Sequence, residues 1–158
     1  MNLRTITIAT LTAGTLDIAS ALFLTAIEGK SGAKMLQGIA SGPFGRWPFD
    51  HGLAGTLTGL AVHFCIMAVM VTAFATAARR APLLVERPVA WGAAYGVLLY
   101  LFMYWIVIPL RWPPDSIVVT ARAILVPIAI HVVLVGIPIG LIVAHFARRH
   151  AAAWGDEM

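Results

Sequence analysis

The sequence predicts an all-α, polytopic membrane protein: a four-transmembrane-helix bundle with a short interfacial helix in the first loop. Three observations carry that prediction. The 158-residue chain is 60% hydrophobic and 11% charged, whereas soluble domains are about half apolar and about a quarter charged. Four apolar stretches, at 5–27, 53–77, 89–110 and 123–147, reach the roughly 20 residues that a helical crossing needs. The basic residues gather at the ends of these stretches. There they set topology and meet anionic lipid, so a sequence pI near 9.8 points to no nucleic-acid partner. Lipid cannot satisfy backbone N–H and C=O groups, which makes helices the open-chain solution. The spans leave no room for a separate soluble domain, and 1–158 reads as one membrane domain.

Taken in order, Arg4 precedes the first span, and Ala19-Ser20-Ala21 has the small-residue form of a signal-peptidase site. The apolar run nevertheless continues to Ile27, and Asp17 interrupts the core that a signal peptide would keep apolar, so the segment is expected to remain as a span. In the first loop an interfacial helix is expected over about 32–42. Ala33, Leu36, Ile39 and Ala40 would form one side, with Lys34 and Gln37 on another. Gly42-Pro43 would end it, and Phe44, Trp47 and Phe49 would anchor the chain at the headgroups. The second span holds the single cysteine, Cys65, which excludes an intrachain disulfide and is expected to pack as a small hydrophobe. A short connection carries Arg79, Arg80 and Arg87. The third span leads to Trp112-Pro113-Pro114-Asp115, and Ser116 or Thr120 would cap the fourth helix. Cytoplasmic termini put Arg4, Arg79, Arg80, Arg87, Arg148 and Arg149 inside, against Lys30, Lys34, Arg46, Arg111 and Arg122 outside. The arginine pairs that abut span ends favour this orientation.

Gly55 and Gly59, Gly92 and Gly96, and Gly136 and Gly140 form G-x-x-x-G pairs in the last three spans. Such pairs let backbones approach closely where lipid supplies no hydrophobic drive. Packing within one bundle is the expected use, and a homo-oligomer interface is the alternative. Pro109, Pro127 and Pro138 remove backbone donors. Gly136-Ile137-Pro138-Ile139-Gly140 therefore reads as a kink or hinge centred on Pro138.

Chemistry concentrates at mid-depth. An ionised carboxylate inside a span is costly and marks a functional-site hypothesis. Thr10, Ala13, Gly14, Asp17, Ala21 and Thr25 form a small or polar stripe expected to face protein, with Ile8, Leu11, Ile18 and Leu22 elsewhere. In the second span Gly52, Thr56, Gly59, His63, Met67, Met70 and Phe74 share a face. At 1.5 Å rise per residue, Asp17, His63 and Tyr100 fall within about 3 Å of their span midpoints, and Tyr104 and His131 about 6–7 Å outward. The five form one polar layer contributed by four helices. An interhelical hydrogen-bond cluster fixing helix register is the first reading, with Asp17 accepting from His63, His131 or a tyrosine hydroxyl. A proton-linked site is the second, because burial disfavours the charged forms of both acid and imidazole. Haem held by His63 and His131 is the third, although Asp17 has no place in it. A two-histidine, one-carboxylate metal site ranks below these, and no cofactor is expected. His51 reads as interfacial, and His145 and His150 as residues of the cytoplasmic end. The chain carries no nucleophile elbow, phosphate loop or soluble metal motif.

Thr15-Leu16-Asp17-Ile18, Gln37-Gly38-Ile39-Ala40-Ser41-Gly42 and His63-Phe64 resemble the motifs of a family of small, four-span bacterial inner-membrane proteins with no established biochemical activity. Tyr95-Gly96, Tyr100, Met103, Pro109-Leu110, His131 and Val135-Gly136-Ile137-Pro138-Ile139 extend the resemblance over Gly14 to Leu141. The chain departs from it at Tyr104, where the family carries asparagine. A remoter likeness is to YagU-like membrane proteins, linked with acid stress. The resemblance implies a multi-pass protein of the bacterial inner membrane. The expected role is non-enzymatic, accessory or stress-related. The alternatives are a small proton-linked transporter or channel and a haem-binding electron-transfer protein. Beyond the lipid bilayer and a homo-oligomer, the sequence names no partner or cargo.

Overall fold

A computed structural model describes residues 3–112 and 120–155. Pro113, Pro114, Asp115 and Ser116, and the side chain of His150, lie outside the described residues. Four helices are long and apolar enough to cross a membrane: Leu3–Ile27, Gly52–Arg80, Pro88–Arg111 and Ala121–Arg149. Each is a few residues longer than its apolar run, because the helical hydrogen-bond ladder continues into polar end residues. The first span is α1 (Leu3–Ile27), followed by α2 (Gly32–Phe44), the single turn α3 (Trp47–Asp50), the second span α4 (Gly52–Arg80) and the turn α5 (Leu83–Glu86). The third span joins α6 (Pro88–Phe102) through a π-turn, Met103–Val107, to α7 (Ile108–Arg111). The fourth joins α8 (Ala121–Ile130) through a second π-turn, His131–Gly136, to α9 (Ile137–Gly155). Thr120 caps α8 by accepting from the Ala123 amide at 3.1 Å.

Small residues lie inside the bundle and many large ones outside. Ala9, Ala13, Val71, Ala75 and Val143 are buried, whereas Phe23, Leu57, Val69, Leu98 and Trp105 are exposed around it. That distribution suits a lipid solvent, in which packing rather than water exclusion joins helices. Two expectations fail here. Ile18 is buried, because α1 contacts both α4 and the fourth span and needs a wider inward face than a single stripe. Cys65 is exposed on the outer surface: the inward face of α4 runs through Gly59, His63 and Met67, which turns Cys65 away.

The glycine pairs serve packing within the chain. A Cβ on Gly92, Gly96, Gly136 or Gly140 would strike backbone of the facing span, so the third and fourth spans meet along a glycine seam. Gly55 and Gly59 face the backbone at Pro48 and Leu36 instead. The second span thus uses its pair to seat α2 and α3, not another span.

That seat corrects the interfacial helix. Its buried side consists of Leu36, Gln37, Ala40 and Ser41, while Ala33 is exposed. Gln37 is drawn inward because its Nε2 donates to the Gly52 carbonyl at 2.9 Å and to Thr56 Oγ1 at 3.3 Å. The helix also passes through Gly42-Pro43. It stops at Gly45, whose φ of +61° suits glycine and whose amide bonds to the Ser41 carbonyl.

The bundle has two unlike halves. Toward α5, Ala13, Met67, Phe74, Leu99, Val135 and Ile139 belong to a continuous core. Tyr95 ties the third span to the second there by donating to the Met70 carbonyl at 2.7 Å. Toward α2 the spans part around a cavity.

Candidate functional site

The cavity has a volume of about 340 Å³, far above the roughly 10–15 Å³ that a single water needs. All four spans and α2 contribute walls, and Asp17, His63, Tyr104 and His131 all line it. Tyr100 is buried behind them, stacked on Tyr104 at 5.0 Å between ring centroids and edge-on to His131 at 6.2 Å. The five polar residues therefore converge, in two groups. Asp17 and His63 make one, on α1 and α4. Tyr100, Tyr104 and His131 make an aromatic group on the third and fourth spans, with the Tyr104 and His131 rings 5.8 Å apart.

Local structure fixes each histidine. Gly14 lacks a side chain, and a Cβ there would lie 2.7 Å from the Phe64 ring, so α1 and α4 approach closely at this level. The approach brings His63 Nε2 to 2.9 Å from the Gly14 carbonyl. Carbonyl oxygens only accept, so Nε2 carries the hydrogen. His63 Nδ1 then points toward Asp17 Oδ2 across 3.9 Å, too far for a hydrogen bond. The expectation that Asp17 accepts directly from His63 is corrected: the backbone of α1 takes that donor. His131 is held in the opposite tautomer, because its Nδ1 donates to the Pro127 carbonyl at 2.9 Å and leaves Nε2 bare.

With both rings neutral, three acceptors border one space: the Asp17 carboxylate, His63 Nδ1 and His131 Nε2. Two lining side chains carry hydroxyls, Tyr104 and Ser20, and Ser20 Oγ is spent on the Asp17 carbonyl at 2.7 Å. Asp17 retains 22% of its side-chain surface, so the carboxyl group opens on the cavity rather than being sealed by packing. An acceptor-rich enclosure of this kind is unfavourable until a proton or another donor enters it.

The π-turns are the feature that the sequence did not reveal. Ile108 N–H bonds to the Met103 carbonyl and Ile137 N–H to the Val132 carbonyl, each five residues back. Both isoleucines immediately precede a proline, Pro109 or Pro138. Pro138 thus follows the π-turn directly within the continuous helix Ala121–Arg149, the kind of irregularity that accompanies a proline's missing N–H inside a helix. The irregularity expected at Pro138 itself falls one turn earlier and carries Val135 and His131 at the cavity wall. The matching turn in the third span presents Met103 and Tyr104. Such wide turns recur at functional sites.

Haem is poorly served. His63 Nε2 is spent on the Gly14 carbonyl, and its remaining nitrogen faces a carboxylate. Among the described residues no three His, Cys, Asp or Glu side chains are grouped to hold a metal ion. His51 and His145 lie apart from the cavity, His51 stacked on Trp47 at 4.3 Å and His145 edge-on to Phe146 at 5.4 Å.

Fold and hydropathy together define a multi-pass, all-α membrane protein. Comparisons with protein-family models, curated proteins and solved structures found no match to this chain.

Proposed function

We infer that the chain is a proton-linked membrane protein in which Asp17 and His63 share a proton taken up from the cavity. The observation that supports this most is the meeting of two acceptors, Asp17 Oδ2 and His63 Nδ1, at 3.9 Å. One proton between them turns mutual repulsion into a charge-assisted contact. His131 and Tyr104 extend the network on the facing wall, and the α2 residue on the cavity, Ile39, adds no titrating group. No catalytic residue is assigned. The chain would sit in a bacterial inner membrane with both termini cytoplasmic, in a transport, accessory or stress-related role. Arg4 lies beside Phe146, and Arg148 reaches the Val85 carbonyl; it is the positive-inside weighting of these arginines that supports a cytoplasmic end.

Proteoliposomes loaded with a pH-sensitive dye test the reading. After an acid pulse, Asp17→Asn is expected to slow proton entry at least tenfold, with Asp17→Glu retaining most of it. A second reading, that the cluster only locks helix register, draws support from the His63–Gly14 bond. It predicts unchanged flux together with a lowered melting temperature in Asp17→Asn, and that result would sink the proton assignment.

A further inference from the structure

We propose that the cavity also receives an amphiphilic amine, whose cationic nitrogen sits among Asp17, His63 and His131 and whose apolar body lies in the groove between α2, α4 and the third span. The proposal rests on the proton-linked reading of the same cluster and adds a ligand to it.

The head-group chemistry follows from the acceptors. An ionised carboxylate and two bare imidazole nitrogens border the space, and a primary ammonium carries three N–H donors and a positive charge. Tyr104 adds an aromatic face that attracts a cation. An anionic or acceptor-only head would meet a like set of lone pairs and be rejected. A bare metal ion is disfavoured by the missing three-residue metal group among the described residues.

The body is read from a second space. A groove of about 890 Å³ adjoins the cavity and shares Ala21, Ile39, Ile66, Met103, Tyr104 and Ile108 with it. Its own wall includes Met35, Gly38 and Val62, so it is mostly apolar and runs beside α2. Arg111, its one basic residue, is engaged with the Ser41 and Gly42 carbonyls. A molecule with an apolar tail and a small cationic head matches the two spaces joined in this order.

Proton and amine then compete for one carboxylate. The groups facing Asp17 are His63 on α4, His131 on the fourth span and Tyr104 on the third, with Arg111 farther along the groove. A proton taken up between Asp17 and His63, whose facing atoms lie 3.9 Å apart, occupies acceptors that a bound ammonium needs. Amine affinity therefore falls as pH drops.

Binding of 4-phenylbutylamine and of its uncharged counterpart 4-phenylbutan-1-ol to the full chain in lipid nanodiscs, measured calorimetrically at pH 8 and pH 5, provides the test. At pH 8 the amine is expected to bind at least tenfold more tightly than the alcohol, with the preference lost at pH 5 and in Asp17→Asn. Gly38 offers an independent variant, because a Cβ there meets nothing within 4 Å. Gly38 lines the groove but not the cavity that holds Asp17, His63 and His131, so Gly38→Phe is expected to weaken the amine at least tenfold while leaving Asp17-dependent proton flux intact. Equal binding of amine and alcohol, or amine binding unchanged by Gly38→Phe, overturns the proposal. If that happens while flux still depends on Asp17, only the ligand assignment falls. If flux is independent of Asp17, the proton reading falls first.

Discussion

Single side chains decide how the polar layer is held. Gly14 acts twice: its missing side chain admits Phe64, and its carbonyl orients His63. Sequence spacing placed Gly14 on the right stripe but could not show that its backbone is the histidine's partner, since the two lie 49 positions apart. Asp17 was legible because a carboxylate in an apolar run stands out on cost alone. Thr10 marks the opposite case, a polar group with no evident use. Its hydroxyl is buried without a hydrogen-bond partner, and an unsatisfied buried hydroxyl costs about 1–3 kcal/mol. Thr10→Val keeps the shape and removes that cost. A rise in detergent melting temperature, corresponding to about 1 kcal/mol, is expected, and a fall would show that the hydroxyl has a partner in the membrane.

At the scale of elements, the spans were readable because crossing length and apolar content are local properties. The faces and breaks were not. Gln37 reads as a solvated residue until Gly52 and Thr56, 15 and 19 positions on, are brought beside it. The π-turns depend on which carbonyl an amide chooses, a choice that composition does not encode. The dipeptides Ile108-Pro109 and Ile137-Pro138 are the only local trace of them. Arg111 was read as a topology charge, yet it is the fastener of α2. Its Nε and Nη2 donate to the Gly42 and Ser41 carbonyls, both at 2.7 Å, near the negative end of that helix. Trp112 lies over Gly42 beside the guanidinium. Each such charged hydrogen bond contributes about 1.5–3 kcal/mol. In Arg111→Ala, amide exchange across 37–44 is expected to accelerate at least tenfold, with the four spans unchanged. Equal exchange in both proteins would mean that α4 alone holds α2.

For the whole molecule, the division into a packed half and a hollow half follows from where small residues fall. The seam of Gly92, Gly96, Gly136 and Gly140 draws the third and fourth spans together, and toward α2 the spans part around the cavity. The sequence disclosed the glycine pairs and the depth of the polar residues, but not which pairs face each other. Their occupation inside the chain also removes them as a ready surface for a second copy. Gly136→Val would place two methyl groups against the Gly92 and Gly96 backbone. Overpacking of that kind costs about 1–3 kcal/mol or more. A lower melting temperature and loss of the Asp17 effect on flux are expected together, because Gly136 closes the turn that begins at His131. Retained stability would mean that the seam can open without disturbing the bundle.

The bond from Arg111 back to Ser41 and Gly42 also sets an order for biogenesis. The partners are separated by 70 and 69 positions. At about 5–20 residues per second of synthesis, roughly 4–14 s pass between their emergence from the ribosome. Through that interval α2 must wait at the membrane surface, resting first on lipid and then on the newly inserted second span. The hollow half closes only when the third and fourth spans arrive, so an insertion machinery that delays them would leave Asp17 open to water from that side.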